Sequence, residues 1–276
     1  MCWLLLVVFF WVLMVAWSYM VFYYEAANGS HLNTLRSRGA VSVLVLKGFI
    51  WSLLSHTVLL VAAAAALHRG FWNLPSGPAN RTPVIFVHGL YHNHTAWYFY
   101  LRWFRKWGRR HLKAMNLKGK FSSINDYARK LAEEVDRVLE QTGSNQVDLV
   151  GHSMGGLVIR SYLNSGAARG RVRRVVTLAT PHAGSKLAVF GPGAAAQEMV
   201  PGSPFLESLN RDGTPTRHEA RVYSIYSIVD NMVLPNDSAK LAGEGVTCLE
   251  TQAVNHLGLL FCKKTGRLVR ACLDEQ

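Results

Sequence analysis

The chain has 276 residues, of which 50% are hydrophobic, and it carries a formal net charge of +13 at pH 7. This length suits one mid-sized catalytic domain with an appendage, and the hydrophobic share is above that of a typical wholly soluble protein. The four cysteines form no Cys-x-x-Cys pair, which argues against a cysteine-rich zinc site. The positive charge suits an anionic partner. Because no nucleic-acid recognition module is visible, we expect that partner to be lipid headgroups and not nucleic acid.

Two long apolar runs lie near the N-terminus. Residues 1–24 contain no charged side chain, and residues 41–67 contain only Lys47 and His56 as ionisable groups. A helix crosses the hydrocarbon core with about 20 apolar residues, and both runs reach that length. The alternatives are a cleaved signal peptide for the first run, although it lacks the usual basic start, and a buried helix for the second. We predict a membrane anchor over residues 1–70 with two transmembrane helices.

A linker rich in Pro, Gly and Asn is expected at 71–82, and residues 83–276 form the remaining domain. In this domain short β-branched runs alternate with helical patterns, which is typical of a parallel sheet covered by helices. We therefore predict an α/β fold whose mostly parallel central sheet has helices on both faces. The expected strands are 83–88, 146–150, 174–179 and 221–228, the expected helices are 125–141 and 155–163, and residues 185–218 are expected to pass over the sheet.

The segment between the first strand and the first helix is rich in histidine, aromatic and basic residues. His88, His92 and His94 have a spacing that metal ligands adopt, but no cysteine or carboxylate lies nearby. We therefore expect a polar rim of the site there and no metal. Residues 97–120 combine aromatic with basic side chains without an intervening acidic residue. A helix is expected there, packed on the sheet or held at an anionic membrane surface, and the pattern favours neither.

The strongest chemical signal is Gly-His-Ser-Met-Gly at residues 151–155, which matches the G-x-S-x-G nucleophile elbow. A predicted strand precedes the motif and an apolar helix follows it. A serine on such a strand-to-helix turn presents its hydroxyl above the sheet, so Ser153 is the candidate nucleophile. Two main-chain N–H groups are needed to bind the developing oxyanion. The candidates are the N–H of Met154, at the helix start, and the N–H of Leu90, in the loop after the first strand.

An acid and a base are expected after the nucleophile, in the chain order serine, acid, histidine. Asp230 follows the strand predicted at 221–228 and is the candidate acid. Asp212 and Asp237 compete with it, although both lie in turn-like sequence. His256 is the only histidine after Asp230, so it is the candidate base.

Residues 83–262 resemble the α/β-hydrolase lipases, in particular the small bacterial triacylglycerol lipases. The matching segments are Val-His-Gly-Leu at 87–90, Gly-His-Ser-Met-Gly-Gly at 151–156, Thr-Pro-His-Ala-Gly-Ser at 180–185, Ser-Ile-Val-Asp-Asn-Met-Val at 227–233 and His-Leu-Gly-Leu-Leu at 256–260. The last two segments discriminate best, because they place an acid and a base independently of the elbow. The resemblance implies an α/β-hydrolase fold and two sets of site residues. These are the triad Ser153, Asp230 and His256, and the oxyanion donors Leu90 and Met154.

The resemblance also implies hydrolysis of lipid or acylglycerol esters through an acyl-enzyme, without a metal or organic cofactor. The alternatives are an acyltransferase or a thioesterase with the same three residues, and a non-catalytic membrane scaffold that keeps the fold. The predicted hairpin departs from the secreted members of the family and indicates a membrane location, taken to be the bacterial inner membrane. The Lys and Arg residues that flank the two apolar runs leave the side of the membrane undecided.

Overall fold

A computed structural model describes residues 2–65, 72–75, 77–117, 119, 121–211 and 220–275, with the backbone alone for 2–8, 56 and 59–65. In chain order the helices and strands are α1 (Cys2–Asn28), α2 (His31–Arg38), α3 (Val41–Ala65), β1 (Val84–Val87), α4 (Tyr98–Lys106), β2 (Leu112–Ala114), α5 (Ile124–Thr142), β3 (Val147–His152), α6 (Met154–Asn164), β4 (Val172–Leu178), α7 (Ala194–Glu198), α8 (Pro204–Arg211), β5 (Arg221–Tyr226), β6 (Val246–Glu250) and α9 (Lys263–Asp274). Short 3-10 helices cover His94–Trp97, Lys186–Phe190, Asn236–Ala239 and Leu257–Leu260.

The described strands form one six-stranded sheet in the order β2-β1-β3-β4-β5-β6, and every neighbouring pair is parallel. The predicted parallel sheet is therefore confirmed, and each predicted strand falls on an observed one. Because β1 lies between β2 and β3, the chain crosses from one side of β1 to the other. The loops that leave the carboxyl ends of β1 and β3 flank this crossover, where open α/β sheets bind their ligands.

Helices cover both faces of the sheet. Successive residues of β1 point to opposite sides. Ile85 and Val87 share a core with α5 and α6, whereas Val84 and Phe86 share a core with α4 and α9. All four side chains are fully buried, which explains why this strand reads as a continuous apolar run in the sequence.

Helix α5 begins and ends within one residue of the predicted bounds, 125–141. The Ser123 hydroxyl accepts a hydrogen bond from the Asp126 N–H at 3.1 Å, and the Asp126 carboxylate accepts one from the Ser123 N–H at 3.2 Å. This reciprocal capping box satisfies two N–H groups that the helix itself leaves unpaired. At the other end Gly143 adopts φ 63°, a left-handed conformation that stops the helix.

Residues 97–120 do not form one helix, so that prediction is wrong. The helix ends at Lys106 because the chain turns at Gly108, which has φ 87°, and β2 then joins the edge of the sheet. Tyr100 and Phe104 are fully buried against β1, so the aromatic side of α4 packs on the sheet. Positions 118 and 120 of the segment lie outside the described residues.

The N-terminal helices form a layer of their own. Residues Phe9–Asn28 of α1 are long and apolar enough to cross a membrane, a test that a core helix or a signal sequence also passes. Among the described residues, α2 and α3 are long and apolar enough for a membrane span only when they are taken together, and the chain bends by 95° between them. The hairpin of two transmembrane helices is therefore not confirmed. Residues 66–70 of the predicted hairpin lie outside the described residues. One face of α1 and α3 packs on the loop after β5, where the Tyr19 hydroxyl donates to the Val229 carbonyl at 3.2 Å.

A buried ion-pair cluster ties the amino end of the sheet to α9. The Asp148 carboxylate is inaccessible to solvent and lies 2.6 Å from the guanidinium of Arg173 and 3.3 Å from that of Arg109. Arg109 also contacts the Asp274 carboxylate at 2.6 Å. Burial raises the pKa of the Asp148 carboxyl, and the two arginines oppose that shift. Since Asp148 is the fully buried anion that both arginines share, its removal is strongly unfavourable.

We expect Asp148→Ala to lower the free energy of unfolding by about 3 kcal/mol, because it removes the shared anion from a buried cluster. The matched control is Asp136→Ala, which removes an exposed carboxylate paired with Arg171 and is expected to cost less than ~1 kcal/mol. Chemical denaturation followed by tryptophan fluorescence measures both. Equal losses in the two variants would contradict the assignment of the cluster as a structural centre.

Candidate active site

Ser153 occupies a strained turn between β3 and α6. Its backbone has φ 54° and ψ −126°, a positive-φ conformation that residues other than glycine rarely adopt. Since β3 ends at His152 and α6 starts at Met154, the turn contains a single residue. Strain of this kind persists only where the surroundings enforce it, and it concentrates at functional positions.

The glycines of the motif are required by close backbone packing. A Cβ on Gly151 would lie 2.6 Å from the amide nitrogen of Gly156. A Cβ on Gly155 would overlap the carbonyl oxygen of Val87, and one on Gly156 would overlap the side chain of Thr180. Only glycine lets β1 and the loop after β4 approach the turn so closely.

Both predicted oxyanion donors lie next to the serine. A Cβ on Gly89 would lie 3.1 Å from the Cβ of Ser153, so the loop after β1 passes beside this serine. Leu90, the next residue in that loop, lines the same cavity as Ser153. Met154 is the first residue of α6, where helix N–H groups carry partial positive charge.

The structure pairs the predicted acid with the predicted base. Nδ1 of His256 lies 2.8 Å from Oδ2 of Asp230, and both side chains are buried. The other carboxylate oxygen of Asp230 accepts hydrogen bonds from the N–H groups of Met232 at 2.8 Å and Val233 at 3.0 Å. These contacts fix the carboxylate and, through it, the orientation of the imidazole.

The competing acids do not share this position. Asp237 lies in a 3-10 helix, is exposed, and pairs with the ammonium group of Lys240 at 2.7 Å. Asp212 lies outside the described residues.

Ser153 and His256 line one cavity of about 510 Å³, whose walls are mostly apolar. No hydrogen bond joins the serine hydroxyl to the imidazole within the part of the chain that the structure describes. Catalytic hydrogen bonds are often formed only when substrate is bound. Ser153, the candidate base His256 and the predicted oxyanion donor Leu90 all border this cavity.

His152 contacts the main chain of His256, the candidate base, and the sequence did not reveal this contact. Nε2 of His152 donates to the carbonyl oxygen of His256 at 3.1 Å, and the two rings lie 4.6 Å apart. Burial, with a smaller contribution from the neighbouring His256, holds the pKa of His152 well below its usual value. The side chain is therefore neutral at pH 7, and it adds no charge beside the base.

His88 is a structural residue of the loop after β1. Its Nδ1 donates to the Gly89 carbonyl at 2.8 Å, and its Nε2 accepts from the Leu117 N–H at 3.0 Å. Both ring nitrogens are therefore occupied by the main chain, which leaves neither for a metal. Burial lowers the pKa of His88 to about 4.

The N-terminal helices supply part of the cavity wall, a second feature absent from the sequence predictions. Trp11, Met14, Trp17 and Ser18 of α1 and Ser52 of α3 all line the cavity. The sequence signal that could have identified this wall is the occurrence of serines within otherwise apolar helices.

Comparison with known proteins places the chain in a family. Residues 83–222 match the family of palmitoyl protein thioesterases. The chain belongs to this family. The match contains Ser153 and the loop of Leu90, and it ends before Asp230 and His256.

Two triacylglycerol lipases are relatives of this thioesterase-family chain. The lipase of Pseudarthrobacter phenanthrenivorans is 37% identical over 120 residues, which cover 41% of this chain and 37% of the lipase. The lipase of Burkholderia plantarii is 37% identical over 120 residues, which cover 41% of this chain and 33% of the lipase. The chain thus spans about a third of the length of the curated relatives that it matches. The predicted resemblance to bacterial triacylglycerol lipases is confirmed.

The fold agrees with this family assignment. A crystal structure of a Bacillus licheniformis lipase in its mature form superimposes with a TM-score of 0.63 at 22% identity. The superposition covers 71% of this chain and 94% of that lipase. The chain therefore has the α/β-hydrolase fold, with the parallel sheet that the sequence predicts.

The depressed pKa of His88 predicts a loss of stability in acid. In the unfolded chain the His88 imidazole takes up a proton near its ordinary pKa of 6.5, whereas in the folded chain it does so only near pH 4. The free energy of unfolding therefore falls as the pH falls through this window. The lowered pKa of His88 should reduce the free energy of unfolding by about 2 kcal/mol when the pH falls from 7 to 5. His88→Gln should flatten the pH dependence by that amount in denaturation at the two pH values. An unchanged slope would show that His88 takes up its proton normally in the folded state.

Proposed function

We propose that the protein is a membrane-associated serine hydrolase that cleaves carboxylic esters of lipids. The observation that carries the proposal is the buried Asp230–His256 contact of 2.8 Å together with a strained Ser153, because Ser153 and His256 border one mostly apolar cavity. A nucleophile, a base and an acid that orients the base are the parts that acyl transfer through a serine requires. The relationship to triacylglycerol lipases supports the same chemistry.

In the proposed reaction, the imidazole of His256 takes the proton of the Ser153 hydroxyl while its oxygen attacks the ester carbonyl carbon. Asp230 orients the ring and stabilises its charged form. The ring then gives the proton to the departing alcohol, which leaves an acyl group on the serine. Water, deprotonated by the same imidazole, attacks the acyl carbon and releases the carboxylic acid.

The N–H groups of Leu90 and Met154 are the proposed donors to the oxyanion that forms in each half-reaction. Their position beside Ser153, one in the loop after β1 and one at the start of α6, supports this role. Main-chain donors fixed before substrate binds need no reorganisation, and each donor contributes about 3 kcal/mol of transition-state stabilisation. The chemistry needs no metal or organic cofactor.

The cavity favours an acyl chain as the bound part of the substrate. Its lining combines the wall from α1 with Leu187, Phe190 and Met232, so an alkyl chain would be surrounded by apolar atoms. Burial of each methylene contributes about 0.8 kcal/mol. We therefore infer a lipid or acylglycerol ester as substrate.

A thioester is the second candidate substrate, because the family match is to palmitoyl protein thioesterases. Both reactions form the same acyl-enzyme and differ only in the leaving group, a thiol instead of an alcohol. The proposed residues and their roles are unchanged.

We further propose that residues 1–70 attach the catalytic domain, residues 83–276, to a membrane through the linker 71–82. The exposed aromatic and aliphatic side chains of α1, with Phe9 at 62% and Phe10 at 66% exposure, support an apolar environment for its outer face. Because the inner face of α1 lines the cavity, this attachment would place the substrate entrance at the lipid. The proposed location is the bacterial inner membrane.

We expect a fluorophosphonate probe to label the full-length, detergent-solubilised protein at Ser153. Ser153→Ala should abolish labelling, and Asp230→Asn or His256→Ala should slow it by about 10³-fold or more, because the hydroxyl loses its base. The control is Ser165→Ala, at an exposed serine beyond α6, which should label like the wild type. Labelling that persists in Ser153→Ala would contradict the assignment of the nucleophile.

Hydrolysis of p-nitrophenyl esters of increasing chain length, beside an acyl thioester of matched length, separates the candidate substrates. We expect faster hydrolysis of the esters and a preference for long chains. Preference for the thioester would favour the second candidate, and turnover only with an added alcohol would indicate an acyltransferase. If none of these substrates is turned over in a Ser153-dependent way, the result would favour a non-catalytic scaffold.

A further inference from the structure

Three serines of the N-terminal helices are buried although the helices themselves are apolar. Ser18 of α1 and Ser52 and Ser55 of α3 are at most 6% exposed. Ser18 donates its own proton to the Val15 carbonyl at 2.8 Å, so its oxygen remains available as an acceptor. A buried hydroxyl is stable only where it has such partners. These serines therefore identify the side of each helix that meets the catalytic domain.

Ser18 binds the residue that follows the proposed acid. Nδ2 of Asn231 donates to the Ser18 hydroxyl oxygen at 2.8 Å. Oδ1 of the same amide lies 3.5 Å from the main-chain nitrogen of His256. One buried amide thus connects α1 with the chain at Asp230 and with the chain at His256.

Ser52 and Ser55 bind the residue that precedes the proposed base. Nδ2 of Asn255 donates to the Ser52 hydroxyl oxygen at 3.0 Å, and its Oδ1 lies 3.1 Å from the Ser55 hydroxyl oxygen. Oδ1 also accepts from the Gly258 N–H at 3.0 Å, which closes the turn that carries His256. The amide of Asn255 therefore fixes the loop of the base to α3.

We propose that α1 and α3 are part of the active site, because Ser18 positions Asp230 and His256 through Asn231 while Ser52 and Ser55 position His256 through Asn255. The serines are positioning residues and touch neither the acid nor the base. The inference rests on the proposed function, since it assigns a role to the loops of that triad. Its consequence is that the triad is fully ordered only when the N-terminal helices are docked.

Burial explains why these few contacts matter. Asn231 is 3% exposed and Asn255 is 1% exposed, so water cannot replace a lost partner easily. An amide left without its serine must either stay unpaired or rotate toward another partner. Rotation moves the main chain on one side of the acid or the base, and a displacement of about 1 Å in such a site lowers the rate strongly.

A purely structural role for the serines makes a different prediction. If the contacts only attach the helices, their loss lowers stability and leaves kcat of the folded protein unchanged. If they position the triad, kcat per folded site falls, and the loss in Ser18→Ala is not added to the loss in Asn231→Ala. A double-mutant cycle separates an effect of Ser18 through Asn231 from an independent effect.

The experiment compares Ser18→Ala, Asn231→Ala, their double variant, Ser52→Ala combined with Ser55→Ala, and wild type, all as full-length protein in detergent. Active-site titration with the fluorophosphonate gives kcat per folded site, so partial unfolding does not enter the rates. Ser42→Ala is the matched control, because Ser42 is an exposed serine of α3.

We expect kcat per folded site for p-nitrophenyl ester hydrolysis to fall about 3- to 10-fold in Ser18→Ala and in the α3 double variant. The Ser18–Asn231 double variant should be no slower than Asn231→Ala alone, and Ser42→Ala should match wild type. Wild-type kcat in Ser18→Ala and in the α3 double variant, or additive losses in the cycle, would overturn the inference. If the fluorophosphonate does not label the wild-type protein at Ser153, that result would instead overturn the proposed function.

Discussion

The hydrogen bond between Asp230 and His256 is the contact around which the candidate site is arranged, and it joins residues 26 positions apart in the chain. Two features of the fold bring them together. Each follows a strand at the carboxyl edge of the sheet, and parallel strands bring their carboxyl ends to one edge. The carboxylate is then held by two main-chain N–H groups, and the main chain of His256 is held by the hydrogen bond that Nε2 of His152 donates to its carbonyl oxygen. The pair is therefore fixed from both sides before any substrate arrives.

The candidate nucleophile, Ser153, depends on a different constraint, which is steric. Ser153 remains at φ 54° because Gly151, Gly155 and Gly156 allow the flanking backbone to close around it. The same closeness brings the loop of Leu90 beside the serine. The ion-pair cluster at Asp148, at the opposite end of β3, anchors the strand that presents this turn. Strain at one end of β3 is thus accompanied by strong attachment at the other.

Much of this arrangement follows from local sequence, and the exceptions have physical reasons. The elbow and α5 were predictable because a glycine pattern and a capping box act over a few residues. β2 and β6 were missed because both are short edge strands without an alternating or continuous apolar pattern. His256 precedes a 3-10 turn closed by the side chain of Asn255, and the elements predicted from the sequence do not include this turn. The contact of Ser18 with Asn231 joins residues 213 positions apart, and no local pattern reveals it.

The most direct test is a crystal structure of the protein after reaction with a fluorophosphonate, whose tetrahedral phosphorus stands in for the tetrahedral carbon of the acyl-transfer intermediate. The account predicts a phosphonyl group on Oγ of Ser153, with its oxygen about 3 Å from the main-chain nitrogens of Leu90 and Met154. It also predicts Nε2 of His256 within hydrogen-bond distance of the oxygen atoms of the adduct. An adduct whose oxygen points into solvent, or an imidazole directed away from the adduct, would contradict it.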